Sequence, residues 1–143
     1  MTSSMPFALP EKLEADLAEV RAHWHGLIRG QASDMPFWDD VKLSALPKIE
    51  DRLMLVGVFE KPERFRFDIL GKHIVKIYGA DVTGKFADEI EPGDPFEYFR
   101  SQAGVTVEGA APTYYKSGTH ARLLLPLWGD GRISMLLGAV AKS

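Results

Sequence analysis

Apolar residues are spaced in three different ways along this chain, and each spacing predicts a different element. Leu13, Leu17, Val20, Trp24 and Leu27 fall four and three apart, the mark of one face of a helix. Leu9-Pro10-Glu11 opens that helix with Pro where a missing N–H does no harm, Glu11 and Glu14 suit its positive end, and Gly30 supplies a stop. Leu53 to Phe59 and Arg132 to Ala141 are apolar on both faces, which predicts two central strands covered on each side. Arg64 to Leu70 alternates strictly, with Phe65, Phe67 and Ile69 against Arg64, Arg66 and Asp68, and predicts an edge strand joined to Leu53–Phe59 through the turn Glu60-Lys61-Pro62-Glu63. Thr119 to Trp128 sets Leu123, Leu125 and Leu127 on one face, with Leu124, Trp128, Arg122 and Pro126 on the other. It meets Arg132 across Gly129-Asp130-Gly131, a hairpin signal.

Between the two hairpins the pattern is short and helical. Lys72 to Tyr78 predicts a helix stopped by Gly79, Phe86 and Ile90 mark a further segment, and Pro95 to Ala103 predicts a helix that Gly104 ends. Val105 to Tyr115 predicts a strand at an edge, since Gly109 and Pro112 disturb it. Gln31 to Asp51, rich in Asp, Pro and Ser, is a connector with one or two helical turns. The sum is an α+β domain: two strands, several short helices, then three strands in one antiparallel sheet, with the last strand beside the first. Residues 1–30 form a unit ahead of a domain over 31–143. Read as heptads, Leu13, Leu17, Val20, Trp24 and Leu27 offer the seam of a parallel homodimer, with Asp16 and Arg21 flanking it; the alternative is that the stripe packs on the chain's own sheet.

Composition narrows the function. At 143 residues the chain is one domain long and buries roughly 68–70% of its unfolded surface. With 45% hydrophobic and 26% charged residues it is an ordinary globular sequence, and a net charge of -3 with 17 scattered basic residues argues against a nucleic-acid surface. The absence of Cys removes disulfides, thiolate nucleophiles and thiolate metal sites. No leader pattern or membrane-length apolar run is present in the sequence, so a cytoplasmic protein is expected.

Few residues suggest chemistry. Gly79 to Lys85 satisfies most of a phosphate-loop pattern, but Phe86 stands where a magnesium-holding hydroxyl belongs and a short helix precedes it in place of a buried strand. Gly79 and Gly84 are better explained as turns, with Asp81 capping the next segment. His23 and His25, two apart on a helix, point in different directions, His120 sits at a strand start, and His73 begins the helix after Gly71. The aromatic residues Phe67, Tyr78, Phe86, Phe96, Tyr98, Phe99 and Trp128 either line a pocket or fill a core.

The order of these elements, together with Leu53-Met54-Leu55-Val56-Gly57-Val58, Phe65 to Gly71, Tyr78 to Lys85, Leu124-Leu125-Pro126-Leu127 and Met135-Leu136-Leu137-Gly138-Ala139, resembles a PAS domain of the short stand-alone bacterial PAS-like kind. The likeness runs from about Leu27 to Ala141 and rests on order and spacing. It implies a sheet in the order 2-1-5-4-3, helices on one face, and a small pocket between them; a ligand entering it is expected to touch the aromatic set Phe67, Tyr78, Phe86, Phe96, Tyr98, Phe99 and Trp128 together with His73. It also implies signal reception or protein interaction without catalysis, a homodimer through the preceding helix, and a signalling partner reached in trans. No cofactor is required by it. Haem-binding members take their histidine from the helix before the third strand, and Pro95 to Ala103 has none; a cysteinyl flavin is excluded by composition. The rival is a small enzyme or hydrophobic-ligand carrier with a cone-shaped α+β fold and a large open cavity, in which Asp68 and Tyr78 would move a proton.

Overall fold

The structure, a computed structural model, describes residues 7–28 and 34–142, so the expected stop at Gly30 lies outside the described residues. Five strands form one antiparallel sheet: β1 (Leu53–Phe59), β2 (Arg64–Leu70), β3 (Thr113–Lys116), β4 (His120–Gly129) and β5 (Arg132–Lys142), in the order β2-β1-β5-β4-β3. Leu53 to Gly57 of β1 pair with Ala139 to Met135 of β5, so the two strands that are apolar on both faces lie side by side at the centre. Asp130 and Gly131 join β4 to β5 with φ of 53° and 77°. Two positive φ values give the turn whose twist matches that of its strands, which is why Asp-Gly stands there.

Three α-helices are described: α1 (Ala15–Gly26), α2 (Lys72–Tyr78) and α3 (Phe99–Gly109). Thr113 and Tyr114 are consecutive on β3 and must point to opposite faces. Thr113 Oγ1 accepts from Gln102 Nε2 of α3 at 3.1 Å, whereas the Tyr114 hydroxyl donates to the Glu14 carboxylate, at the start of α1, at 2.9 Å. α1 and α3 therefore cover opposite faces of the sheet, and both faces of β1, β4 and β5 are dry. Leu17, Leu53, Leu55, Leu123, Leu137, Val56, Phe67 and Leu124 all belong to one continuous core.

Several expectations need correction. The first helix starts at Ala15 and not near Leu9. The preceding backbone is taken up elsewhere, since Phe7 O accepts from Tyr114 N at 2.9 Å on the outer edge of β3. Leu17, Val20 and Trp24 are buried within this one chain, and Trp24 Nε1 donates to Pro126 O of β4 at 2.9 Å. The stripe expected as a dimer seam is thus spent on the chain's own sheet, with Leu13 and Leu27 half-buried against the same core. α3 begins four residues later than expected, passes through Gly104 and ends at Gly109, so Val105 to Gly109 is helix and only Thr113–Lys116 is strand. Finally, Ile69 does not share a face with Phe65 and Phe67. The register runs Val56↔Phe67 and then Leu55↔Ile69, so Asp68 is an extra residue, and a bulge reverses the side chains beyond it. Ile69 is consequently 46% exposed while Phe67 is fully buried.

Candidate functional site

The interior between the sheet and α3 is built from aromatic rings. Phe67 projects from β2, Phe99 from the first residue of α3 and Phe96 from the turn before it, with ring centroids 4.6 Å (Phe67–Phe96) and 5.2 Å (Phe67–Phe99) apart. Tyr78, at the end of α2, packs on Phe96 at 5.2 Å and donates its hydroxyl to Glu91 O at 2.7 Å. Offset and edge-on packing of this kind fills a core. On its outer side the cluster opens into a cleft of about 650 Å³, walled by Phe67, Phe96, Phe99, Ile90 and Tyr98, with Glu97, Arg100 and Ser101 as polar members. Tyr98 takes a positive φ of 55° immediately before α3 and is 65% exposed, so its ring stands at the mouth.

Of the eight residues expected at the pocket, Phe67, Phe96, Tyr98 and Phe99 line this cleft and Tyr78 lies one ring behind it. The other three are elsewhere. Phe86 sits against Phe59 at 5.3 Å beneath the Arg64 guanidinium, 3.8 Å from its ring centre, because residues 84–86 run along the edge of β2. His73 faces a separate groove beside Arg52. Trp128 lies where β4 extends past β3, and its backbone N–H donates to Pro36 O at 2.9 Å. Asp68 and Tyr78, the proton-moving pair of the cone-shaped alternative, are not brought together: Asp68 pairs with Arg66 across the bulge, and the Tyr78 hydroxyl is bonded to Glu91 O.

The phosphate-loop stretch folds as turns. Gly79 closes α2 with a φ of 93°, Asp81 Oδ1 accepts from Thr83 N and Thr83 Oγ1, and Gly84 (φ 88°) swings the chain so that its N–H reaches Phe67 O at 2.7 Å. The Thr83 bonds hold the Asp81 carboxyl below the usual carboxylate range.

Sequence reasoning passed over the residue that anchors the cleft, Arg122. It lies on β4, is 2% exposed, and donates from Nε to Gln102 Oε1 (2.7 Å), from Nη1 to Pro95 O (2.6 Å) and from Nη2 to Glu97 O (2.8 Å). The rings of Phe99 and Tyr115 lie about it with centroids 5.3 and 5.1 Å from the guanidinium carbon. Burial brings its pKa down to about 10, which still leaves it charged at neutral pH. Gln102, Thr106 and Thr113 complete a buried polar chain: Thr106 Oγ1 donates to Gln102 O at 2.9 Å and lies 2.6 Å from Thr113 Oγ1. A signal was available. One charged residue inside a strand that is otherwise apolar on both faces has nowhere to put its charge except against partners.

The same loop carries an acid pair. The Asp94 and Glu97 carboxyls interact, and that contact drives the Asp94 carboxyl down and the Glu97 carboxyl up. Thr119 Oγ1 donates to Asp94 Oδ2 at 3.0 Å, and His120 Nδ1 is 3.9 Å from the same oxygen. Residues 94–97, one wall of the cleft, are therefore tied to β4 both by Arg122 and by the turn that precedes it. Among the described residues no cluster of His, Asp and Glu could hold a metal ion, and no helix is long and apolar enough to cross a membrane.

What fold and cleft define is a class: an α+β domain with a five-stranded antiparallel sheet, helices on both faces and an aromatic-walled cleft beside the short helices. No known family, no curated protein and no solved structure matches the chain.

Proposed function

We propose that this is a PAS-like sensory domain whose cleft receives a small, largely aromatic or apolar molecule and whose sheet passes the occupancy to a partner protein, without chemical change to the ligand. The observation that supports it most is the connection between cleft and sheet. A molecule entering beside Phe96 and Phe99 would contact Glu97 and Tyr98, which line the same cleft, and the carbonyls of Pro95 and Glu97 are the acceptors of Arg122 on β4. β4 in turn accepts the Trp24 indole N–H of α1 through Pro126 O, so the far helix feels the near loop through a few bonded steps. Such coupling does work only if the ligand binds the two arrangements of loop and helix with different affinity. The strand order 2-1-5-4-3, with helices interrupting after two strands, supports the same reading. The packed Phe67, Phe96 and Phe99 rings favour it over a cone-shaped carrier or enzyme, which would need that space open.

Native mass spectrometry and an absorption spectrum of freshly purified protein, followed by titration with a library of small aromatic compounds watched by amide chemical shifts, test this reading. A retained or titrated molecule should shift the amides of residues 96–101 and of α1, be recovered with its mass unchanged, and fail to bind when Ser101→Trp fills the cleft wall. A compound library that leaves 96–101 unmoved, or a ligand returned chemically altered, would reject it.

A further inference from the structure

A second groove, separate from the cleft, lies between α2 and the ends of β4 and β5. It measures about 600 Å³, and its lining includes Arg52, His73, His120 and Lys142 around the apolar side chains of Ile77 and Val140. No carboxylate lines it among the described residues, in a chain whose net charge is -3. Arg52 and His73 also border an adjoining groove that Asp16, Glu19 and Asp51 line. Asp16 bonds Arg52 Nη1 at 2.8 Å and holds the guanidinium at the groove edge, and Asp94 lies 3.9 Å from His120 Nδ1. That ring nitrogen is buried without a hydrogen-bond partner in the protein. The Arg52 and Lys142 cations and two imidazoles around an apolar floor fit a ligand with an anionic head and a short hydrocarbon body, since the floor rewards burial of methylenes and the two cations reward negative charge.

We propose that this groove binds a small amphipathic anion, an alkyl chain ending in a carboxylate or a phosphate. The inference stands on residues the aromatic cleft does not use, so it survives or fails independently of the sensory reading.

Calorimetric and chemical-shift titrations with four probes, octanoate, octyl phosphate, octylamine and inorganic phosphate, decide it. Octanoate, octyl phosphate or both should saturate with a Kd of about 1 mM or tighter, moving the amides of residues 72–77 and 140–142, while octylamine and inorganic phosphate do not. Binding by octanoate alone marks the ligand as a fatty-acid-like carboxylate, and binding by octyl phosphate alone marks it as a phosphorylated amphiphile. Lys142→Glu, at the exposed end of β5, and His73→Gln should each weaken the active probe about tenfold with an unchanged circular dichroism spectrum. The proposal is overturned if neither anionic amphiphile saturates, if octylamine binds as well as they do, if inorganic phosphate alone binds, or if neither substitution changes the affinity.

Discussion

Arg122 shows how one residue can hold a loop in place. Its planar fork satisfies three acceptors at once, Gln102 Oε1, Pro95 O and Glu97 O, at a site that water does not reach. An ammonium has the charge but not the fork. Arg122→Lys should therefore leave at least one of those oxygens unpaired and lower the unfolding free energy by about 1–3 kcal/mol, read from urea denaturation; a change within about 0.5 kcal/mol would show that the loop is held by other means. Tyr114 makes a prediction of a different kind. Burial first, and then the bond to Glu14, push its hydroxyl up to about 12. Its folded pKa thus lies above the ordinary value of about 10, so the phenol's contribution is intact below that value and is lost as pH climbs toward the folded one. Wild-type protein should lose stability between about pH 10 and 12 more steeply than Tyr114→Phe does, as compared by the two urea midpoints across that window. Parallel slopes would mean that neither burial nor the Glu14 bond raises the hydroxyl's pKa in the folded protein.

At the scale of elements, the bounds of β1, β2 and α2 stand in the structure where the sequence placed them, because alternation and a terminal glycine act locally there. Gly71 is a case in point: a Cβ at that position would lie 2.2 Å from Asp51 O, so the residue that ends β2 is also required by the chain passing over it. The failures have non-local causes. Val105-Thr106-Val107 is a β-branched run that locally favours a strand, yet α3 continues through it because Gln102 and Thr106 are buried partners of Arg122 and Thr113 on the sheet. Likewise, no local pattern announces the extra residue at Asp68 that turns Ile69 outward, nor the edge pairing that removes Phe86 from the cleft. The aromatic residues legible as pocket formers were those on β2 and around the start of α3, while their anchor was hidden in a strand that looked purely structural. Gly104 carries the element-scale prediction. It was expected to end the helix and instead lies inside α3, where a Cβ would meet only Glu63 Oε1, at 3.4 Å. Gly104→Ala should therefore raise stability by about 0.5–1 kcal/mol through reduced freedom of the unfolded chain. A destabilised variant in the same urea titration would mean that the helix interior needs glycine for a reason the contacts do not show.

For the molecule as a whole, the central question is whether α1 is an appendage or a layer. An amphipathic helix ahead of a domain can serve as a seam between two copies, and in that role its apolar stripe would be exposed in the single chain. Here Leu17 and Val20 are fully buried and Trp24 is 5% exposed, all within one chain. Trp24 reaches Pro126 O, Asp16 reaches Arg52 and Glu14 reaches Tyr114, so α1 is bonded to β4, to the turn before β1 and to β3 at once. A helix held at three points closes one face of the sheet, and the sheet cannot stay dry without it. Val20→Glu combined with Trp24→Glu therefore distinguishes the two roles cleanly. For a seam, the double variant would be a folded monomer. For a layer, two carboxylates are forced against Leu123, Leu125 and Leu137, at several kcal/mol each unless the helix detaches, and detachment exposes the core. We expect the far-UV spectrum to lose its sheet signal, the thermal transition to disappear or broaden, and the protein to bind a hydrophobic dye. Sedimentation of a compact, cooperatively folding monomer with native near-UV dichroism would instead return α1 to the role of a contact between copies.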